Sequence, residues 1–244
     1  MRFTSEQHLD DTILEREFTL DGIPGILWTP TSVSGPTPLI LLGHPPLGLR
    51  RMYPRLVDRA GQAAAEGFAA ATIELPGSGD RPRLPGVEQA RAAMRRAMDA
   101  DEPVGPEIVD ALVLPLVERA VPEWRAALDS LLALPGIGGP VGYSGGVISI
   151  GVRLAAVEPR VAAAVLFAGS LVPRAVFEEA RQVTVPLHVL LQWDDEGNER
   201  EAALELFDAF GSKDKSLHAH LGGHAGVPRS AGEAATRFFA RHLK

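Results

Sequence analysis

A serine lies at the centre of the run Gly-Tyr-Ser-Gly-Gly at residues 142–146. A short apolar segment precedes this run and a helical pattern at residues 147–156 follows it, as in a G-x-S-x-G turn between a strand and a helix. At such a turn the serine occupies strained backbone geometry, beside free N–H groups at the start of the helix. The pattern predicts Ser144 as a nucleophile for acyl transfer. The structural alternative is a glycine-rich turn in which Ser144 only caps the helix.

A serine hydroxyl is a weak nucleophile near neutral pH, so it needs a histidine base whose tautomer is held by a carboxylate. Candidates for both follow Ser144 in the chain order that such a site requires, acid first and histidine second. Three consecutive acids follow an apolar segment, and His224 lies in the glycine-rich loop after the next one. We predict Asp195 as the acid and His224 as the base. Asp194 and Glu196 are the alternatives for the acid.

Other polar residues near these motifs are interpreted as structural, because they lie within apolar segments or beside turns. They are His44, Glu74, Asp80, His188, His218 and His220. For Trp193 two roles are compatible with the sequence, a wall of the pocket or a residue of the core. Ser78 lies between two glycines, but without the glycine spacing of a nucleophile turn.

Short apolar segments bounded by glycine and proline alternate with segments of helical period. This pattern is typical of a mostly parallel sheet with helices on both faces. Eight strands are predicted, at residues 13–20, 23–29, 39–43, 68–74, 140–143, 161–167, 187–192 and 216–221. Helices are predicted at residues 51–66, 87–98, 107–134, 145–158, 199–210 and 231–243. Catalytic groups collect at the carboxyl edge of such sheets, so we expect Ser144, Asp195 and His224 to meet there.

Length and composition bound the class of protein. The 244 residues, 45% of them hydrophobic, suit one α/β domain over residues 1–244. The segment 168–186 is too short for a large cap domain. A formal net charge of −7 argues against nucleic acid as a partner.

The chain shows neither a long apolar segment for a bilayer nor the start of a signal peptide. We therefore expect a cytoplasmic protein without membrane association. The chain has no cysteine, which excludes disulfides and a cysteine nucleophile. The histidine spacing does not suit a metal-binding helix and no phosphate-binding loop is found, so neither a metal nor a cofactor is expected.

Together these motifs resemble the α/β-hydrolase superfamily, and within it the dienelactone-hydrolase-like branch. The resemblance covers nearly the whole chain and includes the serine turn and residues 43–46, 74–80, 193–196 and 223–224. Dienelactone hydrolases in the strict sense use a cysteine nucleophile, which this chain lacks. The resemblance therefore implies a serine esterase that cleaves small-molecule carboxylic esters through an acyl-enzyme intermediate.

The resemblance also implies an oxyanion hole built from two backbone N–H groups. One belongs to Gly145, which follows the nucleophile. In the usual His-Gly-X pattern the other would fall at Pro46, but proline has no N–H. We therefore expect Leu47 to be the second donor.

Two other functions are compatible with the sequence. In the first, acyl transfer or perhydrolysis, a nucleophile other than water takes the acyl group. In the second, the chain binds a ligand or a partner without catalysis, because a fold does not fix a function. A homodimer is compatible with the sequence.

Overall fold

The computed structural model describes residues 1–32, 35–169, 171–224 and 226–244. Within them the chain forms nine strands and seven helices. The strands are β1 (Arg2–Asp10), β2 (Ile13–Leu20), β3 (Ile23–Pro30), β4 (Thr37–Gly43), β5 (Ala69–Ile73), β6 (Ile137–Gly145), β7 (Val161–Phe167), β8 (Leu187–Gln192) and β9 (Lys215–His220). The helices are α1 (Leu49–Ala65), α2 (Pro85–Asp99), α3 (Pro106–Leu132), α4 (Ile148–Val157), α5 (Arg174–Ala180), α6 (Arg200–Ala209) and α7 (Arg229–Leu243).

All nine strands belong to one sheet in the order β1-β2-β3-β5-β4-β6-β7-β8-β9. The first three pairs in this order are antiparallel, and the five pairs from β5 to β9 are parallel. Helices connect the parallel strands, as parallel pairing requires. The carboxyl ends of β4, β6, β8 and β9 therefore lie at one edge. The predicted α/β fold with a mostly parallel sheet is confirmed.

The sheet separates two apolar layers, and β4 contributes to both. Leu39 and Leu41 face the layer that contains α3, α4, α5 and α6. Ile40 and Leu42 face the layer that contains α1 and α7. Successive side chains of a strand point to opposite faces, so a central strand buried on both sides is apolar throughout.

The predicted number of strands is wrong by one, because β1 was missed. Its nine residues are almost all exposed, and it pairs with the rest of the sheet only through β2. A strand with both faces in solvent has no reason to alternate apolar and polar residues, so periodicity could not detect it.

The segment 168–186 contains one short helix in its described part, α5, which was also not predicted. Val176 and Ala180 of α5 are buried in the main core, so α5 covers the sheet. Residue 170 of this segment lies outside the described residues. Among the helices of the described chain, none has both the length and the hydropathy to cross a membrane.

Candidate active site

Asp195 and His224 are brought together by the loops that follow β8 and β9. Nδ1 of His224 lies 2.7 Å from Oδ2 of Asp195. The side chain of His224 is 67% exposed, whereas that of Asp195 is 3% exposed. The other carboxylate oxygen of Asp195 accepts the backbone N–H of Gly197 at 3.1 Å. A carboxylate at Nδ1 holds the imidazole in the tautomer whose Nε2 can accept a proton.

The two neighbouring acids have different surroundings. Oδ2 of Asp194 accepts the backbone N–H of Gly222 at 3.1 Å, and the Asp194 N–H donates to the Gly222 carbonyl at 3.2 Å. Asp194 therefore joins the loop after β8 to the loop after β9. Glu196 is exposed, and its side chain has no hydrogen bond within the described chain. Of the three candidate acids, Asp195 is the one that contacts His224.

Ser144 is buried near the end of β6, on the side of the sheet that α1 and α7 cover. Its own φ is not positive. The left-handed backbone belongs to Gly145, with φ of 73°, and to Gly146, with φ of 77°. The prediction that the serine itself carries the strained backbone is wrong, because glycine adopts positive φ without a Cβ penalty. Because these two residues have left-handed backbone, they lie outside the helix. α4 therefore begins at Ile148 rather than at the predicted residue 145.

Arg59 of α1 contacts Ser144 and, like His224, lines the cavity beside it. Its Nη2 donates to Oγ of Ser144 at 3.0 Å and also to the Ser144 backbone carbonyl. Its Nη1 donates to the carbonyl of Gly43 at 2.8 Å. Burial lowers the pKa of Arg59 to about 10, so the guanidinium is charged at neutral pH. Sequence reasoning missed this residue, because α1 carries other arginines and no pattern distinguishes the one that points inward.

Ser144 and His224 line the same cavity, which has a volume of about 360 Å³. Its walls are formed by α1, the ends of β7 and β8, and the segment that begins α7. Phe167 packs edge-on against the His224 ring, with 5.5 Å between ring centroids. Among the described residues, no hydrogen bond joins Oγ of Ser144 to the imidazole of His224. The cavity therefore places both groups within one space without direct contact between them.

The Leu47 N–H is not available as the second oxyanion donor, contrary to our expectation. It donates to the carbonyl of Pro45 at 2.7 Å. The Leu47 side chain is exposed and lines a different cavity, beside the start of α1. The tight turn at the two prolines thus uses the N–H that was predicted to face the substrate.

Several residues predicted to be structural have structural contacts. The buried ring of His44 lies between two carbonyl oxygens, 2.8 Å from that of Pro45 and 3.0 Å from that of Ile73. Oε2 of Glu74 accepts the first N–H of α1, from Leu49, at 2.9 Å.

Trp193 is neither core nor a wall of the Ser144 cavity. It is partly exposed, and the guanidinium of Arg200 stacks 4.2 Å from its ring centroid.

Within the described residues, no group of three or more histidine or acidic side chains is arranged to hold a metal ion. The chemistry available at the site is that of the hydroxyl, the imidazole, the carboxylate and the guanidinium. Such groups support attack by a hydroxyl on a carbonyl carbon, with proton transfer through the imidazole.

No protein-family model matches the chain, and no curated protein matches it. Among solved structures, the PEG complex of a cold-adapted esterase from an Arctic intertidal metagenomic library has a TM-score of 0.79 and 27% identity, over 100% of both chains. Acetyl xylan esterase 1 from Thermoanaerobacterium sp. has a TM-score of 0.68 and 13% identity, over 98% of this chain and 87% of that one. Dienelactone hydrolase from Anabaena variabilis has a TM-score of 0.62 and 18% identity, over 94% of this chain and 99% of that one. These similarities confirm the fold and the resemblance inferred from the sequence.

Proposed function

We propose that this α/β-hydrolase of the dienelactone-hydrolase-like type hydrolyses carboxylic esters of small molecules, with Ser144 as nucleophile. The observation that carries the proposal is the 2.7 Å contact between Asp195 and His224, since His224 lines the same cavity as Ser144. A buried carboxylate paired with an exposed imidazole is the arrangement that prepares a general base. The esterases among the structural neighbours support esters as the substrate class.

The proposed reaction has two halves. Oγ of Ser144 attacks the acyl carbon while Nε2 of His224 takes the hydroxyl proton, and Asp195 stabilises the resulting imidazolium. The proton then passes to the departing alcohol, which leaves the acyl group on Ser144. Water attacks this acyl-enzyme after giving a proton to His224. The carboxylic acid is released, and the proton returns to Oγ.

Substrate binding has to bring Ser144 and His224 into hydrogen-bond contact. Catalytic hydrogen bonds in unliganded enzymes are often long and tighten only in the complex. His224 is largely exposed and lies in a loop, so its side chain has room to turn towards Oγ. A cavity of about 360 Å³ suits a small acyl group.

The test compares Ser144→Ala with wild type on a short-chain chromogenic ester. We expect turnover to fall by at least about 10³-fold, because the acyl-enzyme can no longer form. Ser149→Ala is the matched control, since Ser149 is a buried serine in α4 whose hydroxyl has no hydrogen-bond partner among the described residues. Turnover at the wild-type level in Ser144→Ala would show that the proposal is wrong. Labelling by a serine-directed phosphonate, mapped to Ser144 by mass spectrometry, is the second readout.

A second candidate function is ligand binding without catalysis. The observation that favours it is the hydrogen bond from Arg59, rather than from His224, to Oγ of Ser144. In that case a folded sample would bind small carboxylic acids, but it would neither turn over esters nor react with the phosphonate. The cytoplasmic location and the homodimer stay predictions from the sequence.

A further inference from the structure

The proposed reaction places negative charge on the carbonyl oxygen of the ester, and that charge needs preorganised donors. Gly145 supplies one candidate backbone N–H. The loop after β4 supplies none where the resemblance would place it. Pro46 has no N–H, and the N–H of Leu47 is bonded to the carbonyl of Pro45 at 2.7 Å.

The guanidinium of Arg59 occupies the position from which a donor could act. Its Nη2 lies 3.0 Å from Oγ of Ser144. When Oγ bonds to the acyl carbon, the developing oxyanion is attached to that same carbon, two bonds from Oγ. An N–H that reaches Oγ before attack can therefore reach the oxyanion after it.

The guanidinium is also held in place without the substrate. Nη1 is anchored on the carbonyl of Gly43, and one N–H of Nη2 is anchored on the carbonyl of Ser144. The other N–H of Nη2 points to Oγ and can shift to a stronger acceptor. A charged donor in a fixed planar fork makes hydrogen bonds to anions that are about twice as strong as neutral ones.

The same contact orients the serine proton. A hydroxyl has one proton and two lone pairs, and Arg59 donates to one of those lone pairs. The proton of Ser144 is then free to point towards His224 when the imidazole closes on the site.

The absence of a Cβ at Gly145 leaves space for the Arg59 guanidinium. A Cβ at residue 145 would lie 2.9 Å from Nη2 of Arg59 and 3.4 Å from its Cζ. A side chain at this position would therefore displace the guanidinium from its place beside the nucleophile.

We propose that Arg59 is a catalytic residue of this site, whose guanidinium donates to the oxyanion formed by attack of Ser144 and replaces the backbone donor that the two prolines remove. The inference rests on the proposed function. Arg59 stays a cation throughout the reaction. Only the acceptor of one of its hydrogen bonds changes, from Oγ of Ser144 to the oxyanion.

The experiment measures kcat and KM of Arg59→Met and Arg59→Ala on a short-chain chromogenic ester. We expect kcat to fall by about 10²–10³-fold with KM nearly unchanged, because the interaction forms only in the transition state. Guanidinium chloride at non-denaturing concentration, compared with sodium chloride at equal ionic strength, should restore part of the activity of Arg59→Ala. Arg51→Met is the matched control, since Arg51 is an exposed arginine of α1 that does not line the Ser144 cavity within the described residues. This control should keep a kcat near that of wild type.

The outcomes separate the two proposals. Wild-type kcat in Arg59→Met, with Ser144→Ala inactive, would overturn the role of Arg59 and leave the esterase proposal standing. Wild-type turnover in Ser144→Ala would overturn the esterase proposal itself. If Arg59→Met fails to fold, Arg59→Lys replaces it in the kinetic comparison, because it keeps the positive charge. Rescue of Arg59→Ala by guanidinium is then measured on the folded fraction of that variant. A loss of kcat without rescue, or a change in KM alone, would show that Arg59 only supports the structure.

Discussion

The carboxylate of Asp195 lies 2.7 Å from Nδ1 of His224, although 29 residues separate the two in the chain. Two loops at the same edge of the sheet make this contact, one after β8 and the other after β9. Asp194, next to Asp195, binds the backbone of Gly222 instead. The two adjacent aspartates therefore make different contacts, Asp195 with His224 and Asp194 with the backbone of Gly222, and each contact can be tested separately.

Substitution of the two aspartates should affect different properties. Asp195→Asn is expected to lower kcat by about 10³–10⁴-fold, because an amide favours the wrong tautomer of His224 and cannot stabilise the imidazolium. Asp194→Asn should keep most of the activity, since Asp194 only joins two loops. Steady-state kinetics with the chromogenic ester checks both. An Asp194→Asn enzyme that loses as much kcat as Asp195→Asn would contradict the assignment of the acid.

Stability should depend on pH through His188. This residue of β8 is buried, and its Nδ1 lies 2.9 Å from Oγ of Ser216. Burial, followed by the charges of His218 and His220, lowers the pKa of His188 from 6.5 to about 4. Below about pH 6.5 His188 is therefore protonated in the unfolded chain, whereas in the folded chain it stays neutral until about pH 4. Because the unfolded state binds more protons in this window, the free energy of unfolding falls as pH falls from about 6.5 to about 4.

The loss assigned to His188 should amount to about 1–3 kcal/mol between pH 7 and pH 4. Urea unfolding at a series of pH values measures it. His188→Gln should remove about one proton from the pH dependence, whereas His8→Gln on the exposed strand β1 is the control. An identical pH dependence in wild type and His188→Gln would refute the prediction.

Glu15 joins three elements through a buried carboxylate. It accepts from Nε1 of Trp28 at 2.5 Å, from Oη of Tyr53 at 2.9 Å and from Nε2 of Gln7 at 2.7 Å. Burial and the bond to Glu15 raise the pKa of Tyr53 to about 12. Glu15→Gln should lower the free energy of unfolding by about 2–4 kcal/mol, because an amide cannot accept from all three donors. The exposed Glu17→Gln is the control and should change it by less than about 0.5 kcal/mol.

Gly146 should tolerate no side chain. Its φ of 77° favours glycine, and a Cβ would lie 2.7 Å from the backbone nitrogen of His44 and 2.8 Å from the carbonyl carbon of Gly43. Gly146→Ala should therefore cost at least about 3 kcal/mol or prevent folding, since backbone atoms cannot move aside. Gly86→Ala, where a Cβ has open space around it, should leave the melting temperature unchanged or slightly raised. Thermal unfolding of both variants checks this, and equal melting temperatures would contradict it.

The sequence by itself determined the parallel sheet and the order of the candidate functional groups. Apolar periodicity reflects which side chains are buried, so the central strands and most helices could be predicted, and the predicted strand 187–192 has the same bounds as β8. The chain order of Ser144, Asp195 and His224, with parallel strands, placed these residues at one edge. Strand β1 was missed because neither of its faces is buried.

The tertiary structure alone decided which groups meet within that edge. The choice of Asp195 over Asp194, the use of the Leu47 N–H inside its own turn and the contact of Arg59 with Ser144 all depend on where each donor points. The direction of an N–H or a guanidinium is set by turn geometry and by the packing of α1 on the sheet. Those are properties of three-dimensional placement, and no spacing along the chain encodes them.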